Sequence, residues 1–219
     1  MNESATPKPS IYVIAGPNGG GKSSIIGEML LRSGADYFNP DLIANQIQAR
    51  NPSLPREQAN SLAWTRVRDY LKEAIETRAT FAFETTLGGN TIPGLLEHAI
   101  AEGIEVRIWF TCLSSVELHI ERVRARVDEG GHDIPEQKIR ERYEASRKNL
   151  IRLLPKLTEL RLYDNSFNAQ FSNNIAPKPR LILHLQHGRI ITSCDLAETP
   201  DWAKPIVETV LKLKIDKTT

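Results

Sequence analysis

The chain has 219 residues, 40% hydrophobic and 25% charged, with a formal net charge of +1, which suits one large α/β domain of ordinary globular composition. The balanced charge argues against a nucleic-acid or membrane surface, and no apolar run approaches the length of a membrane span. The two cysteines, Cys112 and Cys194, form no C-x-x-C pair and fit a reduced, cytoplasmic setting, with Cys112 as a core thiol.

Residues 1–10 read as a polar leader without the apolar segment of a signal peptide, and residues 11–219 as a single domain. The apolar run 11–15 predicts a buried strand, and residues 23–31 a helix with Ile25, Ile26, Met29 and Leu30 inward. Between them stand Gly16, Pro17, Asn18, Gly19, Gly20, Gly21, Lys22 and Ser23, which match the phosphate-binding pattern G-x-x-x-x-G-K-[ST]. Glycines let successive backbone N–H groups converge on one anion. Lys22 adds a point charge toward the outer phosphates, and the Ser23 hydroxyl is placed to reach Mg2+. The helix opening at Ser23 and Ser24 turns its positive end toward the same phosphates. The expected ligands are ATP and Mg2+.

Further along, residues 35–38 predict a second strand, and Asn39, Pro40 and Asp41 open a helix to about residue 50. A long helix over 56–78 places Ala63, Val67, Tyr70, Leu71, Ala74 and Ile75 on one face. A buried strand over 80–83 ends at Glu84, a loop covers 85–90, then come a helix over 91–102 and a strand over 104–111. The helix over 115–129 stops at Gly130 and Gly131. Asp133 is spaced to cap the next helix, with Pro135 inside it and Glu136 at the capping-box position. Residues 160–163 read as a strand and 165–179 as a loop. Residues 181–185 and 189–192 form a hairpin around His187 and Gly188, and a last helix covers 202–213. The alternation predicts an α/β fold, a mostly parallel sheet with helices on both faces, and a helical lid over about 115–150.

A glycine loop of this kind binds nucleotide; the rest of the chain decides what is done with it. The chain has no N-K-x-D guanine-reading motif and no apolar strand ending in an Asp-Glu pair, which favours a small kinase over a switch or motor. Asp41 comes after the second strand, near the carboxyl edge of the sheet, where a carboxylate can accept a proton from an attacking hydroxyl; the alternative is a helix-start acid that complements the dipole. Glu84, Thr85 and Thr86 reach the same edge and suit a polar acceptor or a magnesium-bound water; the alternative for Glu84 is a solvated strand end. Residues 117–148 hold eight Lys/Arg and eight Asp/Glu, a balance that argues against a nucleic-acid patch. Within them Arg122 and Arg126 share a helix face and Arg140 lies on the next helix. Such arginines can fold over a triphosphate, or lace exposed helices with ion pairs. Gly130, Gly131 and His132 form the tip of the expected lid. The other histidines, His98, His119, His184 and His187, have no metal-ligand spacing.

The ordered set AGPNGGGKSS, NPDLIA, FAFETTLGG, ERVRARVDEGGHDIPEQKIRERYEASRKNL and LRLYDNS resembles the zeta-toxin-like P-loop kinases over residues 11–166. The resemblance implies a P-loop kinase core with a lid, transfer of the ATP γ-phosphate to UDP-N-acetylglucosamine, and an antitoxin partner. It gives Lys22 and Ser23 the phosphate and magnesium roles, Asp41 the role of base, and Glu84 and Thr85 the acceptor pocket. It sets Arg122 on the phosphates and Asp164 and Asn165 beside the nucleotide. Where founding toxins carry a second lid arginine shortly before a proline, this chain has His132 before Pro135; Arg126 and Arg140 are the candidates for that charge. The GGHDIP form belongs to a branch described as predicted ATPases, whose acceptor need not be a UDP-sugar. Two other functions remain compatible with the residues: an ATPase switch without an acceptor, and a nucleic-acid 5′-kinase, which the near-neutral charge disfavours.

Overall fold

The computed structural model describes residues 8–167 and 178–215; residues 1–7 of the expected leader and residues 168–177 of the expected loop lie outside them. Seven strands form one sheet: β1 (Ser10–Ala15), β2 (Tyr37–Phe38), β3 (Phe81–Thr85), β4 (Glu105–Cys112), β5 (Glu159–Asp164), β6 (Arg180–Gln186) and β7 (Arg189–Ser193). Their spatial order is β2-β3-β1-β4-β5-β6-β7. The first five are parallel, and β6 and β7 run antiparallel. The helices among the described residues are α1 (Ser23–Ser33), α2 (Pro40–Arg50), α3 (Arg56–Thr77), α4 (Thr91–Ala101), α5 (Val116–Asp128), α6 (Glu136–Leu153) and α7 (Lys204–Ile215). None is long and apolar enough to cross a membrane.

The apolar runs explain the layering. β1 and β4 are buried almost throughout, and β3 over Phe81, Ala82 and Phe83, as parallel strands covered on both faces must be. The main core lies between one face of the sheet and the apolar stripes of α3, α4, α6 and α7, including Leu71, Leu96, Leu150 and Ile206. α1 covers part of the other face, where Ile25 and Met29 pack on Ile14, Ala82, Trp109 and Tyr163. The hairpin turn takes positive φ at both His187 (47°) and Gly188 (72°), the backbone that matches strand twist in a two-residue turn.

Several details differ from the sequence expectation. The second strand is only Tyr37–Phe38. Asp133 does not cap α6: its Oδ1 accepts from the adjacent Ile134 N–H at 2.7 Å, and the helix begins at Glu136 with Pro135 at the cap position. Pro135 has a non-helical ψ of 133° there, and no side chain caps the helix start. Trp202 precedes the last helix and is buried against the sheet side of the core.

Register matters most at the carboxyl edge. Ala15 lies level with Thr85 on one side and Phe110 on the other, and Cys112 is level with Asp164. The segments leaving β1, β3, β4 and β5 therefore emerge side by side, at the edge where open α/β sheets bind ligands.

Candidate active site

The loop over residues 16–23 leaves β1 and turns into α1. Its bends need glycine where neighbours crowd the backbone. At Gly16 (φ +142°) an added Cβ would lie 2.0 Å from the Thr111 carbonyl oxygen, and at Gly21 (φ +74°) 1.9 Å from Asn165 Nδ2. Four remote residues hold the loop. Thr111 Oγ1 and Asn165 Nδ2 donate to Gly20 O at 2.9 and 3.3 Å. His119 Nδ1 meets Asn18 O at 2.6 Å, and Arg142 Nη1 donates to Asn18 Oδ1 at 2.8 Å. The Leu113 N–H donates to His119 Nε2 at 3.2 Å. A backbone N–H can only donate, so Nε2 accepts and the ring is the neutral Nδ1–H tautomer. Burial pushes its pKa down to about 4, in keeping with that neutral state.

Lys22 is buried, and its ammonium donates to Gly16 O and Pro17 O at 3.0 and 3.2 Å. Glu84 Oε1 stands 3.5 Å away. The other Glu84 oxygen accepts from Tyr37 Oη at 2.7 Å and Asn39 Nδ2 at 3.1 Å. Burial, then the Glu84 charge, raises the Tyr37 pKa well above its ordinary range. The same Asn39 caps α2, its Oδ1 accepting from the N–H groups of Asp41 and Leu42 at 2.8 and 3.4 Å. Asn39 performs the capping, so the Asp41 carboxylate is left for other contacts. Ser23 and Ser24 are exposed in the first turn of α1, which carries no acidic residue, so nothing there opposes an arriving anion.

A cleft of about 490 Å3 lies between α2, the start of α3, and the α5–α6 connection. Asp41, Asn45, Gln48, Arg56, Arg126 and His132 are among its lining residues. Arg56 Nη1 donates to Asn45 Oδ1 and Gln48 Oε1 at 2.5 and 3.0 Å. Arg126 Nη2 donates to the His132 carbonyl at 2.8 Å, and His132 Nε2 lies 3.1 Å from Asn60 Nδ2. Burial, then Arg56, lowers the His132 pKa, while Asp41 opposes the shift. The Nε atoms of Arg56 and Arg126 are buried without a partner.

The remaining expected residues divide. Arg122 Nη2 donates to Asn165 O at 2.8 Å, so both lie beside the loop. Asp164 is buried and accepts from the N–H of Ser166 at 3.2 Å and from its hydroxyl, shaping the turn after β5. Thr85 Oγ1 and Thr86 Oγ1 accept from Leu87 and Gly88 N–H at 3.0 and 3.4 Å, bending the loop after β3. Arg140 stands apart, half-exposed and paired with Glu136 at 2.7 Å and Glu117 at 3.0 Å, which is the ion-pair alternative.

Sequence reasoning missed Thr111, His119, Arg142, Tyr37, Asn39 and Arg56. Helical spacing carried a signal for Arg142. It lies three residues after Ile139 and four before Ser146, both buried, whereas Arg140 falls on the other flank of that stripe. His119 carried a weaker one, beside the buried Ile120 and Val123.

A parallel sheet with helices on both faces, and a glycine loop between β1 and α1 at its carboxyl edge, define the P-loop kinase fold. The sequence profile of the zeta toxin family matches residues 2–174. The chain belongs to the zeta toxin family. An uncharacterised protein of Haemophilus influenzae is 34% identical over 137 residues, covering 58% of this chain and 88% of that protein. Among solved structures, AvrRxo1-ORF1:AvrRxo1-ORF2 with ATP superposes with a TM-score of 0.63 at 16% identity, covering 95% of this chain. The present chain spans only 65% of that neighbour. The PezAT toxin–antitoxin system of Streptococcus pneumoniae superposes with a TM-score of 0.56 at 13% identity, covering 99% of this chain and 90% of that one. Family and fold together support an ATP-dependent, kinase-like activity.

Proposed function

We propose that this protein transfers the γ-phosphate of ATP to a hydroxyl of a small-molecule acceptor. The observation that carries the reading is the Lys22–Glu84–Asn39 chain of contacts, which joins the clamped glycine loop to the start of α2, where the exposed Asp41 carboxylate lines the cleft and has no hydrogen bond or ion pair among the described residues. In this reading the loop N–H groups, Lys22 and the start of α1 hold the triphosphate. The acceptor hydroxyl enters beside Asp41. Its oxygen bonds to the γ-phosphorus as the bond to the β–γ bridging oxygen breaks; the electron pair leaves with ADP and the proton passes to Asp41.

The donor groups present suit Mg2+, which takes few protein oxygens and keeps water and phosphate ligands. The Ser23 hydroxyl would hold it, and Glu84, 3.5 Å from the Lys22 ammonium, would orient its water. When bound, Mg2+ neutralises charge on the β- and γ-phosphate oxygens.

For the acceptor, a UDP-amino sugar such as UDP-N-acetylglucosamine fits the family and the cleft. Arg56 and Arg126 line the cleft without a carboxylate partner among the described residues, which suits an acceptor that carries phosphate. The PezAT likeness supports an antitoxin as the protein partner.

Incubating the protein with Mg-ATP and a panel of UDP-sugars and other metabolites, with mass-spectrometric readout, tests the reading. A phosphorylated acceptor is expected. Asp41→Asn should lower transfer by about 100-fold or more while ATP binding stays within about twofold. ATP hydrolysis with no phosphorylated product from any acceptor would instead favour an ATPase switch.

A further inference from the structure

We propose that Arg142 is a catalytic residue of this site, its guanidinium contacting the phosphoryl group in transit between ATP and acceptor. The inference rests on the kinase reading above and names a residue that neither the motif nor the family resemblance singles out.

Position is the first argument. Arg142 reaches from α6 to the P-loop, donating to Asn18 Oδ1 at 2.8 Å. The Asp41 carboxylate is close enough to act on it electrostatically, as is Glu141 next in the chain. The guanidinium thus bonds the nucleotide loop and lies within electrostatic reach of the residue that would take the acceptor proton. A phosphoryl group passing from one to the other would travel within the reach of this cation.

Charge is the second. Arg142 is half-buried, and burial lowers its pKa. Yet among the described residues it forms no ion pair; its hydrogen-bond partner is a neutral amide. A desolvated cation left with a neutral partner costs stability, and an anion arriving beside it removes that cost. The neighbouring cations differ: Lys22 has Glu84, and Arg140 has two carboxylates.

The third is that its aim is fixed. The stem of Arg142 lies on Gly88, where an added Cβ would come 2.8 Å from Arg142 Cγ and 3.3 Å from its Cα. Two turns further along α6, Asn149 Nδ2 donates to Leu87 O and Gly89 O at 2.8 and 2.9 Å. One face of α6 and the loop after β3 therefore hold each other, and a preorganised planar cation is what charge building on three phosphoryl oxygens requires.

Calorimetry on the full chain, with Mg-ADP alone and with Mg-ADP plus aluminium fluoride as a mimic of the phosphoryl group in transfer, tests this. The unmodified protein should bind the fluoride complex about 100-fold more tightly than ADP. Arg142→Ala and Arg142→Lys should lose most of that gain and keep their ADP affinity, and added guanidinium should restore part of it to Arg142→Ala. Gly88→Ala, which keeps the charge but displaces the stem, should also lose part. Arg124→Ala, an exposed residue paired with Glu136, should keep all of it. The proposal is overturned if Arg142→Ala retains the gain, if it loses ADP and fluoride-complex affinity in equal proportion, or if the unmodified protein binds ADP and gains nothing from fluoride. Failure of the unmodified protein to bind ADP would bring down the nucleotide reading itself.

Discussion

Two groups of charged side chains lie at opposite ends of β5, and they are built differently. At the amino end Glu159 is 1% exposed and ringed by Arg32, Arg107, Arg161 and His184 at 3.3, 2.9, 2.9 and 2.9 Å. Arg32 and Arg161 also lie over the Trp109 ring. Beyond the carboxyl end, Arg56, Arg126 and Arg142 bond only to amides and carbonyls among the described residues. The first group is closed on itself and the second is open. Density of charge is therefore a poor guide to the site in this molecule; the useful sign is a desolvated cation that lacks an anion.

The sharpest way to break this comparison is Glu159→Ala. It would leave three guanidiniums facing one another on the sheet with their shared carboxylate gone. Removing one partner of a buried ionic group typically costs about 3–5 kcal/mol, so the urea midpoint should fall steeply. ADP affinity of the folded fraction should be unchanged. Lost nucleotide affinity at full stability would mean that the two ends are not separable.

The next effect belongs to His119 and depends on pH. Its folded pKa, about 4, lies below the ordinary 6.5. Between those values the unfolded chain binds a proton that the native state refuses, so stability rises with pH through this window. The contribution is complete above about pH 6.5 and is lost as pH falls toward 4, roughly 3 kcal/mol in all for a shift of this size. Urea titrations at pH 7, 5.5 and 4.5 should show the slope. His119→Gln, which keeps a donor for Asn18 O and an acceptor for Leu113 N–H, should flatten it. An unchanged slope would show that the loop clamp does not depend on a neutral imidazole.

These two residues also show where the sequence was legible. Strand and helix order, the parallel sheet and the glycine loop come from local pattern, because period and turn chemistry act over a few residues. The partners of the loop do not. Thr111, His119, Arg142 and Asn165 lie 91 to 145 residues from the loop atoms they hold, and only the packed sheet and helices bring them there. Glu84 was found because it ends a buried strand. Tyr37 and Asn39, which hold its other oxygen, sit in and just after a strand of two residues that gives almost no periodic signal. Arg140 and Arg142 are alike as charges along the chain, and only the helical stripe of buried residues on α6 separates them.

Arg140 supplies the smallest expected effect. Its guanidinium binds Glu136 and Glu117, and these contacts lower the carboxyl pKa values of both. Exposed pairs of this kind often contribute nothing measurable, because solvent screens the charges and two long side chains lose freedom to meet. Arg140→Ala should therefore leave Tm, ADP affinity and ATP turnover at the values of the unmodified protein. Set against Arg142→Ala, it separates two arginines two positions apart on one helix by whether the charge already has an anionic partner. A loss of turnover in Arg140→Ala would show that the helix pair rearranges on binding nucleotide and carries this charge inward.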